Sequence, residues 1–190
     1  MKMNEKEIQK LMEKLEDGDP GVRENAAKAL LHAAIKGQDI TPAVPALVKN
    51  ALSDEDLAVR WNAAGALIYH YVNKGEWNKL GELVAHDIKQ TVVKALASFV
   101  QTCNSVEKLD NYRNALENFF VEWLKRQPQG RTKEKIEMEL KISGLLMAIS
   151  KRKAELSKEK GELLLGDTVK KPDKDGKKIY RSFRMVSRNG

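Results

Sequence analysis

Apolar residues recur at three- and four-residue spacing along most of the chain, with charged residues between them. Asp19 can accept the free amide hydrogens of a first helical turn, and Pro20 suits the first helical position because it needs no amide hydrogen there. Gly37 and the pair Thr41 and Pro42 then separate this helix from a second one. The apolar stripe of the first helix comprises Val22, Ala26, Ala29, Leu30 and Ala33.

This pattern is an internal repeat. Residues 15–30, LEDGDPGVRENAAKAL, recur at an offset of 37 as residues 52–67, LSDEDLAVRWNAAGAL. A period of this length is typical of stacked helix pairs, in which each unit buries its apolar face only against its neighbours. The predicted fold is therefore all-α, a short right-handed α-solenoid whose unit is a capped helix, a turn and a second helix.

Further elements continue the array on both sides of the repeat. Asn4 and Glu7 have the spacing of a capping box and predict a leading helix that closes the stack. Aligning Val59 with Ile88 gives a third, degraded copy, with Ile88 on its apolar stripe. After the first copy, the predicted helices are 57–71, 77–85, 87–103 and 106–126.

A helix-breaking segment at 127–130, with a proline and a glycine, separates the array from a C-terminal part of different composition. A long helix is predicted from Thr132 to about Gly161. Beyond Gly166 the composition fits either a small β-hairpin or a basic tail. The predicted organisation is an array over 1–126, a helix packed on the array or extending from it over 127–166, and a tail or hairpin over 167–190.

Charge is unevenly distributed between these parts. Residues 1–124 carry 15 Lys and Arg against 18 Asp and Glu, whereas residues 125–190 carry 19 against 9. Cations interleaved with aromatic rings are found where proteins grip nucleic acid without reading its sequence. The alternative is a solvated tail or a tail that docks on the acidic array. The residues of the candidate nucleic-acid site are Lys170, Lys171, Lys177, Lys178, Tyr180, Arg181, Phe183 and Arg184.

The repeat pattern D-P-x-V-R-x-N-A-A-x-A-L, with a neighbouring helix that reads P-A-V-P-A-L, resembles HEAT-type repeat proteins over roughly residues 3–103. The resemblance implies a structural ladder between adjacent units built from Asp19, Arg23, Asp56 and Arg60. At the aligned positions of the third copy the ladder residues are replaced, so the ladder is expected to end there. The resemblance implies no catalytic role for any of these residues.

Catalytic and metal-binding motifs are not apparent in the sequence. His32, His70 and His86 form no pair or cluster with metal-ligand spacing, and no phosphate-binding glycine loop or nucleophile elbow occurs. The single cysteine, Cys103, fits a reducing compartment, and no apolar run approaches the roughly 18 residues that cross a bilayer. We therefore predict a cytoplasmic protein without metal or cofactor and without membrane insertion.

Two tryptophans are candidate partner-binding residues. Trp61 stands where the first copy has Glu24, so it is either exposed or packed under a neighbouring helix. Trp77 opens a short helix on the side that lines the groove of HEAT-like stacks, and exposed aromatic residues are common binding anchors. Lys49 completes the predicted groove.

The leading hypothesis for function is a non-enzymatic interaction module that binds a protein partner through the groove, with the basic extension as a second contact. The main alternative is a nucleic-acid-binding adaptor that acts through the extension. Because some HEAT-like proteins are DNA glycosylases and others resemble bilin lyases, an enzyme remains a third hypothesis. Its aromatic and acidic candidates are Trp61 and Trp77 with Asp54, Glu55 or Asp56.

Overall fold

A computed structural model describes residues 3–159 of the 190-residue chain. By its internal contacts the chain divides after Leu156, and the helical array lies within the unit Met1–Leu156. The described residues form helices and contain no strand, which confirms the all-α prediction; the predicted hairpin or tail lies outside them. The helices are α1 Glu5–Lys14, α2 Pro20–Ile35, α3 Val44–Ser53, α4 Leu57–Lys74, α5 Trp77–His86, α6 Thr91–Thr102, α7 Val106–Lys125 and α8 Lys133–Glu159.

The helices α2, α4 and α6 lie side by side and run in the same direction. At their amino-terminal ends, Arg23 of α2 binds the turn before α4, with 2.8 Å between Arg23 Nε and Asp54 Oδ2. At the opposite ends, the side-chain amide of Asn73 in α4 donates to the carbonyl of Ala34 in α2 over 2.8 Å. Contacts at both ends fix a parallel row, which we call the inner row.

The long helix α8 joins this row as its fourth member. Lys141 Nζ donates to the carbonyl of Asp87, just before α6, over 2.8 Å. Further along α8, by about the length of α6, Arg152 Nε donates to the carbonyl of Cys103, just after α6, over 3.0 Å. Because early α8 meets the start of α6 and later α8 meets its end, the two helices are parallel.

The remaining helices α1, α3, α5 and α7 alternate with the inner row along the chain. The repeat unit was expected to be α2 followed by α3, but α3 packs mainly against α4, and α1 packs against α2. The short turn of Asp54, Glu55 and Asp56 joins α3 directly to α4, whereas a longer link with a 3-10 turn, Thr41–Ala43, separates α3 from α2. The first structural pairs are therefore α1 with α2 and α3 with α4, whereas α5 packs mainly against α7 and α4.

Helix ends are set by the local signals that the sequence contains. Asp19 and Asp56 cap α2 and α4, accepting from the amides of Gly21 over 2.7 Å and Ala58 over 2.8 Å. Asn4 forms the predicted capping box with Glu7. Gly75 ends α4 in the left-handed conformation, with φ of 68°, where glycine carries no steric penalty. The caps that the sequence predicts at Asp19 and Asn4 are confirmed.

The third inner helix differs from the prediction at its start. Asp87 is fully buried, and its carboxylate accepts from the amides of Thr91 and Val93 over 3.1 and 2.9 Å. The helix therefore begins at Thr91, and Ile88 lies in the preceding loop with its side chain in solvent. The expectation that Ile88 belongs to the apolar stripe was wrong.

The core is a seam of small residues between neighbouring helices. Alanines of α2 and α4 are almost completely buried, which lets the helix backbones approach closely. A further close approach lies between α5 and α7, where a Cβ added to Gly81 would lie 2.3 Å from Cγ of Phe119. Gly81 is thus required by packing rather than by backbone conformation. The seam alanines are Ala26, Ala27, Ala63, Ala64 and Ala66.

We expect Gly81→Ala to lower the free energy of unfolding by about 2 kcal/mol, because overpacking against the ring outweighs the better helix propensity of alanine. Thermal and urea unfolding at micromolar protein concentration measure the change. Gly144→Ala is the matched control, since a Cβ there meets nothing within 4 Å. In a Phe119→Leu background the cost of Gly81→Ala should fall below about 0.5 kcal/mol, and an undiminished cost would contradict this account.

Candidate protein-interaction surface

An ion pair links the first two inner helices. Arg23 binds both carboxylate oxygens of Asp54, with 2.8 Å from Nε to Oδ2 and 3.0 Å from Nη2 to Oδ1. The same guanidinium donates through Nη1 to the carbonyls of Asp17 and Gly18 over 2.8 and 3.1 Å. The Asp54 side chain is only 5% exposed. This two-pronged geometry fixes the distance between α2 and α4 at their amino-terminal ends.

The contact between α4 and α6 uses a similar arrangement with a weaker hydrogen-bond acceptor. Arg60 Nη1 donates to the carbonyls of Asp54 and Glu55, both over 2.8 Å, and Nε donates to Thr91 Oγ1 over 3.2 Å. A hydroxyl thus replaces the carboxylate. Lys89 adds a second tie, because its ammonium donates to the carbonyls of Ser53 and Asp54 over 3.2 and 2.9 Å.

The residues that the sequence assigned to the ladder divide into two roles. Arg23 and Arg60 bridge neighbouring units, whereas the carboxylates of Asp19 and Asp56 cap their own helices. The bridging carboxylate belongs to Asp54. The motif contains aspartates two residues apart in both copies, so the sequence alone did not distinguish the cap from the bridge.

The bridge changes the titration of both partners. Burial by itself would raise the pKa of Asp54, but hydrogen bonds from Arg23 and from the amide of Asp56 outweigh burial and hold that pKa below its usual range. The hydrogen bond to Asp54 raises the pKa of Arg23. The pair is therefore ionised at neutral pH and supports the fold rather than proton transfer.

Three large apolar side chains remain exposed around the α4–α6 contact. Leu57 is 60% exposed, Trp61 40% and Ile88 91%. Leu57 and Trp61 are one helical turn apart on α4, and Ile88 lies three residues before Thr91, which Arg60 binds. We call these three residues the edge patch. Sequence reasoning identified Trp61 and missed the other two.

The loop that presents Ile88 is held in place on both sides. Asp87 anchors it to the start of α6, and Lys141 of α8 donates to the Asp87 carbonyl over 2.8 Å. Lys89 ties it to the end of α3. Gln90 takes the left-handed conformation, with φ of 57°, which is uncommon for a residue other than glycine. Because hydrogen bonds hold this loop on both sides, the exposed Ile88 has a fixed position.

The other two predicted groove residues lie elsewhere. Trp77 is half-buried and meets the ring of Tyr112 edge-on, with 4.7 Å between ring centroids. Lys49 lies on α3, and its ammonium makes a loose ion pair with Glu16 at 3.7 Å, with both side chains mostly exposed. The structure does not group either residue with Trp61.

The histidines do not form a reactive site. His70 is buried, and burial lowers its pKa, so it is neutral at physiological pH. His32 lines an open cleft of about 410 Å³ between α1 and α2, and His86 is exposed on α5. Within residues 3–159 no group of three or more potential ligands could hold a metal ion. The predicted nucleic-acid site, residues 170–184, lies outside the described residues.

Comparison with known proteins agrees with this architecture. A family model of HEAT repeats matches residues 8–97, which run from within α1 to within α6. This match supports the predicted HEAT-type repeat architecture over residues 8–97. Searches among curated proteins and among solved structures found no match. No helix of the described part is long and apolar enough to cross a membrane.

We expect Asp54→Asn to lower the free energy of unfolding by about 1 to 3 kcal/mol at pH 7, because a buried charge-assisted hydrogen bond is lost. The contribution of Asp54 is complete above its unfolded-state pKa of about 4 and is lost as the pH falls toward the lower folded-state pKa. The gap between wild type and variant in urea unfolding should therefore narrow from pH 7 to about pH 3. A gap independent of pH would contradict the assignment, and Glu16→Gln, at an exposed pair, is the control.

Tyr112 offers a second test of the core. Its hydroxyl is buried without a hydrogen-bond partner among the described residues, and desolvation raises its pKa strongly. We expect Tyr112→Phe to leave the free energy of unfolding unchanged or to increase it by up to about 1 kcal/mol, since no hydrogen bond is lost. Tyr112→Leu, which also removes the edge contact with Trp77, should destabilise. A clear loss of stability in Tyr112→Phe would reveal a partner for the hydroxyl.

Proposed function

We propose that this protein is a non-enzymatic scaffold that binds a protein partner through the edge patch, Leu57, Trp61 and Ile88. HEAT repeats generally serve as protein-interaction scaffolds. The observation that carries the proposal is the exposure of Trp61 at a position where the preceding repeat has a glutamate. Because the repeat does not need an apolar residue there, the tryptophan is available for a partner.

The energetics of the patch favour binding. Tryptophan is among the residues most often found at the energetic centres of protein interfaces, and a fully buried leucine side chain contributes about 1.5 to 3 kcal/mol. The bridges from Arg60 and Lys89 hold the backbone on both sides of the patch. Little conformational entropy is then lost when a partner covers it.

The basic extension provides the second contact in this proposal, as well as the alternative function of nucleic-acid binding. Much of the positive charge of α8 is already used within the fold, because Lys141 and Arg152 bind backbone carbonyls and Lys153 pairs with Asp110. Nucleic-acid binding would therefore depend mainly on the residues beyond Gly166. Such binding weakens steeply with salt, whereas an apolar contact does not.

The test uses the immobilised full-length chain to capture proteins from a cell lysate with and without nuclease treatment, at about 50 and 300 mM salt. The captured partner is then purified, and its affinity is measured by titration with tryptophan fluorescence. We expect the double variant Leu57→Ser and Trp61→Ala to weaken binding at least about tenfold, a loss of about 1.4 kcal/mol or more. Ile35→Ser, at another exposed apolar residue, is the matched control.

Circular dichroism and thermal unfolding must show that both variants keep the wild-type fold. Equal affinity of the edge-patch variant and the wild type would exclude the patch as the binding surface. Binding that is lost with nuclease or at high salt would instead support the nucleic-acid adaptor.

A further inference from the structure

The two opposite faces of α8 are both partly apolar. One face is buried against the array, with apolar residues at alternating four- and three-residue steps. The other face carries Ile136, Leu140 and Met147, which are 36, 68 and 72% exposed. Such a helix has the pattern of one that is covered on two sides. The buried residues are Met138, Ile142, Leu145, Ile149 and Leu156.

The exposed face lies at the open end of the inner row. Because α8 is parallel to α6 and packs beside it, the face opposite its buried residues is where a further inner helix would stack. At the other end of the row, the exposed positions Asn25, Lys28 and His32 of α2 are polar, and Ile35 at the end of that helix is a single exposed apolar residue. Terminal repeats of a solenoid normally need such a polar outer face. Among the described residues, the α8 end lacks such a polar face.

Small residues form the centre of the exposed face of α8. Ser143 and Gly144 are exposed between Leu140 and Met147, and a Cβ added to Gly144 meets nothing within 4 Å. Small residues at a crossing point let two helices approach closely, while the larger side chains on either side fill the space beyond.

We propose that this face binds a second copy of the same chain, with the two α8 helices antiparallel and crossing at Ser143 and Gly144. A two-fold axis at this point places Leu140 of each copy level with Met147 of the other. The open ends of the two inner rows then cover each other. The contact uses none of the three edge-patch residues and does not depend on the function proposed for them.

The charges beside the stripe favour this occupant and this orientation. In the antiparallel arrangement Glu137 of one copy lies within one residue of the level of Lys151 of the other, whereas a parallel pair would oppose like charges. Glu137 is free to exchange partners, since its pair with Lys133 is long, 3.6 Å, and both side chains are mostly exposed. The basic C-terminal segment fits the stripe less well because Lys133 and Lys151 flank it.

The contact should be weak and reversible. Two helices that meet along about four turns bury less than the roughly 1,200 Å² of a standard interface, so we expect a dissociation constant of about 10 to 100 μM. A dimer of this strength would also present two edge patches to a multivalent partner.

Sedimentation velocity of the full-length chain between about 5 and 500 μM tests the proposal by following the mass from 21.4 kDa to twice that value. We expect Leu140→Glu with Met147→Glu to weaken association at least tenfold, while the edge-patch variant Leu57→Ser associates as the wild type does. Glu137→Lys or Lys151→Glu alone should weaken it, and the two together should restore it.

Oxidative cross-linking tests the orientation. Gly144→Cys lies on the proposed two-fold axis and should form a disulfide-linked dimer. Ser150→Cys is the control, because its two copies would lie about 20 Å apart along the helices, beyond disulfide reach. A wild-type chain that stays monomeric up to 500 μM would overturn the proposal, as would equal cross-linking of the two cysteine variants or no effect of Leu140→Glu with Met147→Glu.

Discussion

The stack depends on cations that bridge the turns at the amino-terminal ends of the inner row. A helix ends with carbonyls that have no intrahelical partner, and the turns at this edge bring such carbonyls together. Arg23, Arg60, Lys89 and Lys141 each donate to two backbone carbonyls at these turns. The same side chains therefore donate hydrogen bonds to the free carbonyls at the ends of the outer helices, and they set the register of the inner helices. Alanine seams supply the close packing, but they do not choose a register by themselves.

This constraint also determines where function can lie. The acidic residues Asp54 and Asp56 are used for the bridge and the cap. His70 and Cys103 are buried within the helices and their ends. The edge patch is different, because nothing in the stacking requires Leu57, Trp61 or Ile88 to be apolar. A rigid edge with unused apolar side chains suits recognition better than it suits chemistry.

Much of the fold could be predicted because its determinants are local. The repeat, the caps at Asp19 and Asp56 and the end of α4 at Gly75 are all readable within a few residues. The register was not local: whether Asp54 or Asp56 bridges to Arg23 depends on how neighbouring turns stack. Ile88 was assigned to a helix face because its spacing fits, whereas the buried cap Asp87 starts that helix three residues later. Of the three edge-patch residues, the sequence predicted only Trp61, because a tryptophan there departs from the repeat pattern.

The two ends of the inner row differ, and this difference limits how copies can associate. If both ends were apolar, one copy could stack on the next head to tail, and such a heterologous contact does not close and leads to filaments. The polar residues Lys28 and His32 at the α2 end oppose that arrangement, whereas Leu140 and Met147 form an apolar stripe at the α8 end. A surface that can pair only with its own copy closes after two subunits. In the proposed arrangement, a row with one apolar stripe at its end therefore closes at a dimer.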